Sequence, residues 1–382
     1  MINNPLHILV VFLGIISLTL TLVSKSQIAS KLSPVIIILF LSAVLANVGI
    51  IPTKNPFYEN LSSYAVPFAV CQILLHVRLA DIRKTGLPIL KAFAVASLGS
   101  MLGCLTAGIL LSSKLDAMLP GQGWKLAGPY IGTYIGGSLN FVSMWSGLEI
   151  ENPELFAAAN AVDNLTLFPI FIFWVLSPRL LEKWFVKSNM EIPDIQKQIE
   201  EPTVILKIND LIKLTFTALF IMVISGLIKK HFIDNWMPQI PTILIVTTIA
   251  LVVAQFKNIQ KLQGSKQLGN FAFYLFFAAI GSMMDIVQAV ILAPALFVYV
   301  TIIIATQIVF VLLIGKILKI DYKMLAVASI AAKGGPPTVV AYTNVKNWNH
   351  LALPGVAAGL LGYAIGNYFA LAGAYLLKYI LY

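Results

Sequence analysis

The chain has 382 residues, a formal net charge of +10, 59% hydrophobic residues and only 11% charged ones. Soluble domains carry about 25% charged residues, so this composition excludes an ordinary soluble protein and indicates a polytopic membrane protein. Lys and Arg are scattered through the connections rather than gathered in a stripe, which argues against nucleic acid as a partner and fits anchoring at anionic lipid headgroups.

Windows of about 20 apolar residues are needed to cross about 30 Å of hydrocarbon. In chain order the first such windows are 6–23, 34–51, 61–79, 86–112, 127–148 and 153–177. No Lys or Arg precedes the first of these and no small-residue cleavage pattern follows it before Lys25, so it is expected to be a retained span rather than a signal peptide. The second set is 209–228, 241–256, 268–284, 289–316, 322–345 and 350–380. Cys71 and Cys104 lie inside apolar runs and read as small core residues. The one long polar connection, Ser177 to Ile208, holds five basic and five acidic residues. It divides the chain into a first membrane repeat with an extra N-terminal helix (1–177), a polar linker (178–208) and a second membrane repeat (209–382). The expected fold is all-α, with about 11–12 transmembrane helices in two repeats.

The repeat is legible as pattern. A segment ending in Asp-Ile (Asp81-Ile82, Asp285-Ile286) leads to a long apolar helix, then a segment broken by paired glycines, then a helix starting near Pro153 or Pro354. The last helix carries a polar spot, Asp163-Asn164 in one half and Gly366-Asn367 in the other. The topology does not close, so either one window between 178 and 267 is mis-scored or the repeats are parallel. If all twelve windows cross, the two broken segments are six crossings apart and point the same way, whereas inverted repeats need an odd number. Likewise, the positive-inside rule makes the loops 257–267 and 316–323 cytoplasmic, while the same count puts Arg83-Lys84 outside.

The breaks themselves are Gly136-Gly137 in IGTYIGGSLNFVSMW and Gly334-Gly335 in IAAKGGPPTVVAY, the second with Lys333, Pro336 and Pro337. Freed backbone groups in lipid survive only where protein or a water-filled cavity covers them, and two such breaks in corresponding positions point to a transporter's binding site. The runs GPYIGTYIGGSLNFVSMWSGLEI, NAVDNLTLFP and AAKGGPPTVVAYTN together resemble the YjcL-like family of uncharacterised membrane proteins, from about Leu32 to the C-terminus. That family looks like a member of the broad group of sodium/proton antiporters, bile-acid/sodium and glutamate/sodium symporters and auxin efflux carriers. The resemblance implies an inverted-repeat fold with scaffold and core subdomains, two discontinuous helices crossing in the core, and a homodimer. It carries no substrate.

Charges deep in a span are functional candidates by default, and by these windows only Asp163 and Lys333 lie near a centre. Asp163, with Asn160 and Asn164 beside it on one helix, is the candidate site for a coupling ion, Na⁺ or a proton; the competing reading is a structural ion pair with Lys333. Lys333 itself either neutralises Asp163, compensates the negative ends of broken helices or attracts an anionic solute. The first break offers Thr133, Gly136, Gly137, Ser138 and Asn140 for substrate binding, and the second Lys333, Gly334, Gly335 and Thr338. Gln72 and Gln307 read as bonds between neighbouring helices, and Gly99, Gly103 and Gly108 as close-packing residues. No P-loop, metal-ligand spacing or nucleophile–base arrangement is recognisable, so neither an enzyme nor a resident cofactor is expected. The reading is a secondary active transporter of the cytoplasmic (inner) membrane, coupled to Na⁺ or H⁺, for a small organic solute expected to be anionic. The alternative is a cation/proton antiporter with no organic substrate.

Overall fold

A computed structural model describes residues 2–26, 34–78, 80, 87–186 and 206–382. Asp81-Ile82, Arg83-Lys84 and linker residues 187–205 lie outside the described residues. The protein is all-helical, with no strand among the described residues. The principal helices are α1 (Pro5–Lys25), α2 (Pro34–Asn47), α3 (Pro56–Leu74), α4 (Leu87–Leu110), α5 (Ala127–Gly136), α6 (Ser138–Gly147) and α7 (Pro153–Leu176). After the linker come α8 (Ile208–Ile228), α9 (Thr242–Val253), α10 (Ser265–Met283), α11 (Ile286–Ile317), α12 (Tyr322–Lys346) and α13 (Ala352–Leu381). Seven of the described helical stretches are long and apolar enough to cross a membrane. Phe168, Phe216 and Ile291 are 70%, 67% and 62% exposed, a surface suited to lipid rather than water.

Several helix starts are written locally. α1, α3 and α7 each begin with Asn-Pro, and the side chains of Asn4, Asn55 and Asn152 accept from Leu6 N, Phe57 N and Leu155 N at 2.8, 2.9 and 2.8 Å. The asparagine caps an otherwise unpaired donor, and proline suits the first helical position. Asp285 and Asp321 cap α11 and α12 in the same way.

Both glycine-broken segments fold back on themselves. Twenty residues of straight helix rise about 30 Å, yet Tyr322 and Tyr342, twenty residues apart on α12, reach the same turn of α7. Tyr322 bonds Ser177 Oγ at 2.7 Å, and Tyr342 donates to Trp174 O at 2.7 Å. Val327 and Val339 both press on Gly355. The turn is at Gly335, with φ 66° and ψ −170°. In α5–α6, Leu148 lies against Gly128 and Lys125 Nζ reaches Glu149 O at 3.5 Å; the turn is Gly137, with φ 70° and ψ −176°. This backbone region is essentially restricted to glycine, and the two hairpins use it nearly identically.

The hairpins enter from opposite ends of the bundle. Along α13, Gly355 touches the arms of the α12 hairpin, Gly362 touches the tip of the α5–α6 hairpin, Tyr363 touches both tips, and Ala374 lies at the base of the α5–α6 hairpin. Between the hairpins in sequence, α7, α8, α9, α10 and α11 run end to end. Even the short α9 does so, from Ile243 beside Gly147 to Gln255, whose side chain donates to Val77 O at 3.2 Å. The sequence-based topology failed because it counted each hairpin as a crossing. With both removed, the parity becomes odd. Arg78 at the end of α3 then lies beside the 257–264 loop, donating to Gln260 O at 2.8 Å, and the conflict over the basic loops disappears.

The order helix, helix, hairpin, helix occurs twice, as α3, α4, α5–α6, α7 and as α10, α11, α12, α13. Counterparts pack antiparallel. On α4 and α11, Gln307 donates to Ser100 Oγ at 2.8 Å while Gly103 meets Ile303. On α3 and α10, Gly269 lies against Ala69 and Gln72, and Tyr58 interacts with Ser282 at the other end. Gln72 also donates to Leu214 O at 3.0 Å, so both mid-span glutamines bond neighbouring helices as expected.

Candidate functional site

Where the two tips meet, α7 brings Asp163 between them. Asp163 is 2% exposed and Lys333 is 4% exposed. Lys333 Nζ is paired directly with Asp163 Oδ1, and Thr133 on α5 donates to Asp163 Oδ2 at 3.0 Å. One carboxylate therefore holds a group from each hairpin. The Lys333 ammonium also lies 3.8 Å from the ring centroid of Tyr134, a cation–π contact strengthened by desolvation. Lys333 occupies the last turn before the Gly335 break, where the helix carbonyl ends favour a cation.

Beside this pair is a cavity of about 270 Å³, lined by Gly137, Ser138, Asp163, Asn164, Lys333 and Gly334 from the hairpins and α7. Its other wall is Asn270, Phe273, Tyr274 and Phe277 of α10, with contributions from α2 and Ile73. Polar groups thus line one side and aromatic rings the other, a common composition for a small-molecule site. The tips differ chemically. α6 begins with Ser138 and Leu139, whose N–H groups face the break, whereas the second arm of α12 begins with Pro336-Pro337, which have no N–H to offer.

Of the residues singled out in the sequence, the structure gathers Gly137, Ser138, Asp163, Asn164, Lys333 and Gly334 at the cavity. Thr133 stands behind it, bonded to Asp163. The others serve the scaffold of the site. Asn140 donates to Gly362 O at 3.1 Å, fastening the first hairpin to α13, and Gly136 packs on Gly362. Asn160 lies one turn before Asn164, which donates to Asn160 O at 2.8 Å. Gly335 is the tip turned against Tyr363, and Thr338 bonds back to Gly334 O at 2.8 Å. The sequence reading missed Asn270, Tyr274 and Tyr363. The first two had a signal, a polar residue and an aromatic at i and i+4 in an apolar helix; Tyr363 had none.

The recurring order of elements runs from Pro56 to Leu381, and the chain is like known proteins over nearly its whole length. It is 28% identical over 362 residues to the uncharacterized membrane protein YjcL of Bacillus subtilis (strain 168), covering 89% of this chain and 88% of that protein. Residues 8–380 match the family described as proteins of unknown function, DUF819, and the chain belongs to that family of membrane proteins.

Proposed function

We propose that the protein is a secondary active transporter that moves a small organic anion, with Na⁺ or H⁺ as coupling ion, by alternating access. The observation that carries this reading is the meeting of two hairpins, entering from opposite ends, at a cavity floored by a buried Asp163–Lys333 pair. Broken helices at mid-depth with ion-binding and solute-binding groups are the recurring design of such carriers. The antiparallel counterparts on either side of linker 178–208 support an inverted repeat and membership of the broad symporter and antiporter group. Ser138, Asn164, Asn270 and Lys333 are proposed to bind the solute, and Asp163 with Thr133 the coupling ion. Asn160 contributes through Asn164. Movement of the unit built from the hairpins, α7 and α13 against α3 and α10 would expose the cavity alternately to each side.

The wall of Phe273, Tyr274 and Phe277 favours an organic solute over a bare cation, and so favours symport over the cation/proton antiport alternative. No catalytic step or resident cofactor is proposed. Location in the cytoplasmic membrane is proposed as well, in the orientation the positive-inside rule favours, with Arg78, Lys261, Lys316 and Lys323 on the cytoplasmic side; homodimerisation is proposed from the family resemblance alone. A thermal-shift screen with Na⁺, Li⁺, pH and small organic anions tests the reading. Joint stabilisation by one anion and one cation is the expected result. Stabilisation by a cation alone, with none from any anion, would favour the antiporter.

A further inference from the structure

Aromatic side chains pack between the hairpin tips and the end of the bundle from which the α5–α6 hairpin enters. They are Phe141 and Trp145 of α6, Phe156 of α7, and Phe276 and Phe277 of α10, all buried. Phe156 is the hub, with its ring centroid 5.8 Å from Phe141, 5.2 Å from Trp145, 5.4 Å from Phe276 and 6.0 Å from Phe277. Tilted and edge-to-face rings attract one another at such distances. The Trp145 indole is held in place by donating to Ile150 O at 2.8 Å.

The cluster does not belong to one packing unit. Phe141, Trp145 and Phe156 stand on the hairpin unit, while Phe276 and Phe277 stand on the opposing wall. Further out, the same two sides meet where Gly147 of α6 packs on Pro241 and Ile243 at the start of α9, and α9 is tied to α3 through Gln255. Inward of the cluster the two sides are parted by the cavity, whose lining runs past the tips to Leu167, Pro337, Ile73 and Val35, toward the Arg78 end. Phe277 belongs to both features, since it lines the cavity and packs on Phe156. We propose that this aromatic cluster is a transport gate, closed here, and that Phe156 must part from Phe276 and Phe277 before the cavity can reach the face opposite Arg78. The inference rests on the alternating access proposed above and assigns the structure to the state whose cavity faces the Arg78 end. Packed rings suit a gate because they exclude water, and parting them breaks no ion pair. A solute lying on Phe277 would touch the gate itself.

The test uses the full-length protein in oriented proteoliposomes, with Ser138→Cys in the cavity as reporter and a membrane-impermeant maleimide applied from either face. No solute is needed, so failure of the gate is distinct from failure of the transporter reading, which the thermal-shift screen decides. Ser138→Cys is expected to label faster from the Arg78 face. Adding Phe156→Ala should raise labelling from the opposite face about tenfold, because the lost ring contacts held that end closed. Phe12→Ala also removes a fully buried ring, one stacked on Tyr58 at 5.7 Å within the wall, and should leave labelling from that face unchanged. The closed end has its own check. A Cβ at Gly147 lies 3.3 Å from Pro241 Cβ, near the spacing of about 3.8 Å in a disulfide, so Gly147→Cys with Pro241→Cys should cross-link on oxidation, and less so with Phe156→Ala. The proposal is overturned if Phe156→Ala leaves labelling from the opposite face unchanged, if Phe12→Ala raises it equally, or if the cysteine pair does not cross-link. Faster labelling of Ser138→Cys itself from the opposite face also overturns it. Should Phe156→Ala not fold, Phe156→Leu, which removes the ring and keeps most of the bulk, is judged by the same criteria.

Discussion

Asp163 divides its carboxylate between the hairpins, Oδ1 to Lys333 of the second and Oδ2 to the Thr133 hydroxyl of the first. Removing either charge strands the other in a buried position, a loss of about 3–5 kcal/mol for a buried pair. Asp163→Asn and Lys333→Met are therefore each expected to lower the melting temperature in detergent. The double variant should regain part of the loss, since no uncompensated charge is left. Additive effects in that cycle would sink the pairing as an energetic unit and leave Lys333 as a solute anchor. Ion-coupled uptake into proteoliposomes should collapse in Asp163→Asn while the protein still inserts; unchanged cation dependence would falsify the ion assignment. The two charges were legible because they are the ones far from any window edge. The role of Asn164 was not, since its amide can bond either a ligand or its own helix, and only the fold shows it donating to Asn160 O at 2.8 Å. Asn270 was overlooked because it sits close to the start of its window, where a polar residue usually marks the interface.

At the scale of the element, the hairpins rest on two glycines whose backbone other residues avoid. Alanine at Gly137 would meet Tyr363 Cε1 at 3.6 Å and Lys333 O at 4.0 Å, which is ordinary contact, so its cost is conformational alone. Alanine at Gly335 would also approach the Tyr363 hydroxyl at 2.9 Å. Each strained residue costs on the order of 1–3 kcal/mol. Thermal unfolding should therefore rank Gly335→Ala below Gly137→Ala, and Tyr363→Phe should relieve only the excess in Gly335→Ala. In a continuous helix, glycine to alanine stabilises by about 1 kcal/mol; a gain at either position would mean that no turn exists there. Paired glycines and Pro336-Pro337 announced the breaks, just as Asn-Pro announced the starts of α1, α3 and α7. They did not announce the fold-back. A kinked crossing helix and a hairpin have the same local chemistry, and what separates them is that Tyr322 and Tyr342 reach one turn of α7, contacts 145 and 168 residues away in sequence.

For the whole molecule, this fold-back decides which loops share a side of the membrane. A crossing segment would put its two ends on opposite faces, while a hairpin returns both to one face, and the two hairpins should use different faces. Single cysteines can report this because the native Cys71 and Cys104 are buried. Gln122 precedes the first hairpin and Glu151 follows it, and Asn349 follows the second; all three are exposed. Gln122→Cys and Glu151→Cys should react with a membrane-impermeant maleimide from the same side. Asn349→Cys should react only from the other side, which the positive-inside rule makes cytoplasmic because Lys316, Lys319 and Lys323 gather there. If Gln122 and Glu151 label from opposite sides, the first segment crosses and the parity returns to even. If all three label together, the hairpins enter from one face, and a cavity reached alternately from two sides loses its structural basis. The expected pattern leaves the Asp163–Lys333 pair where two oppositely entering tips meet.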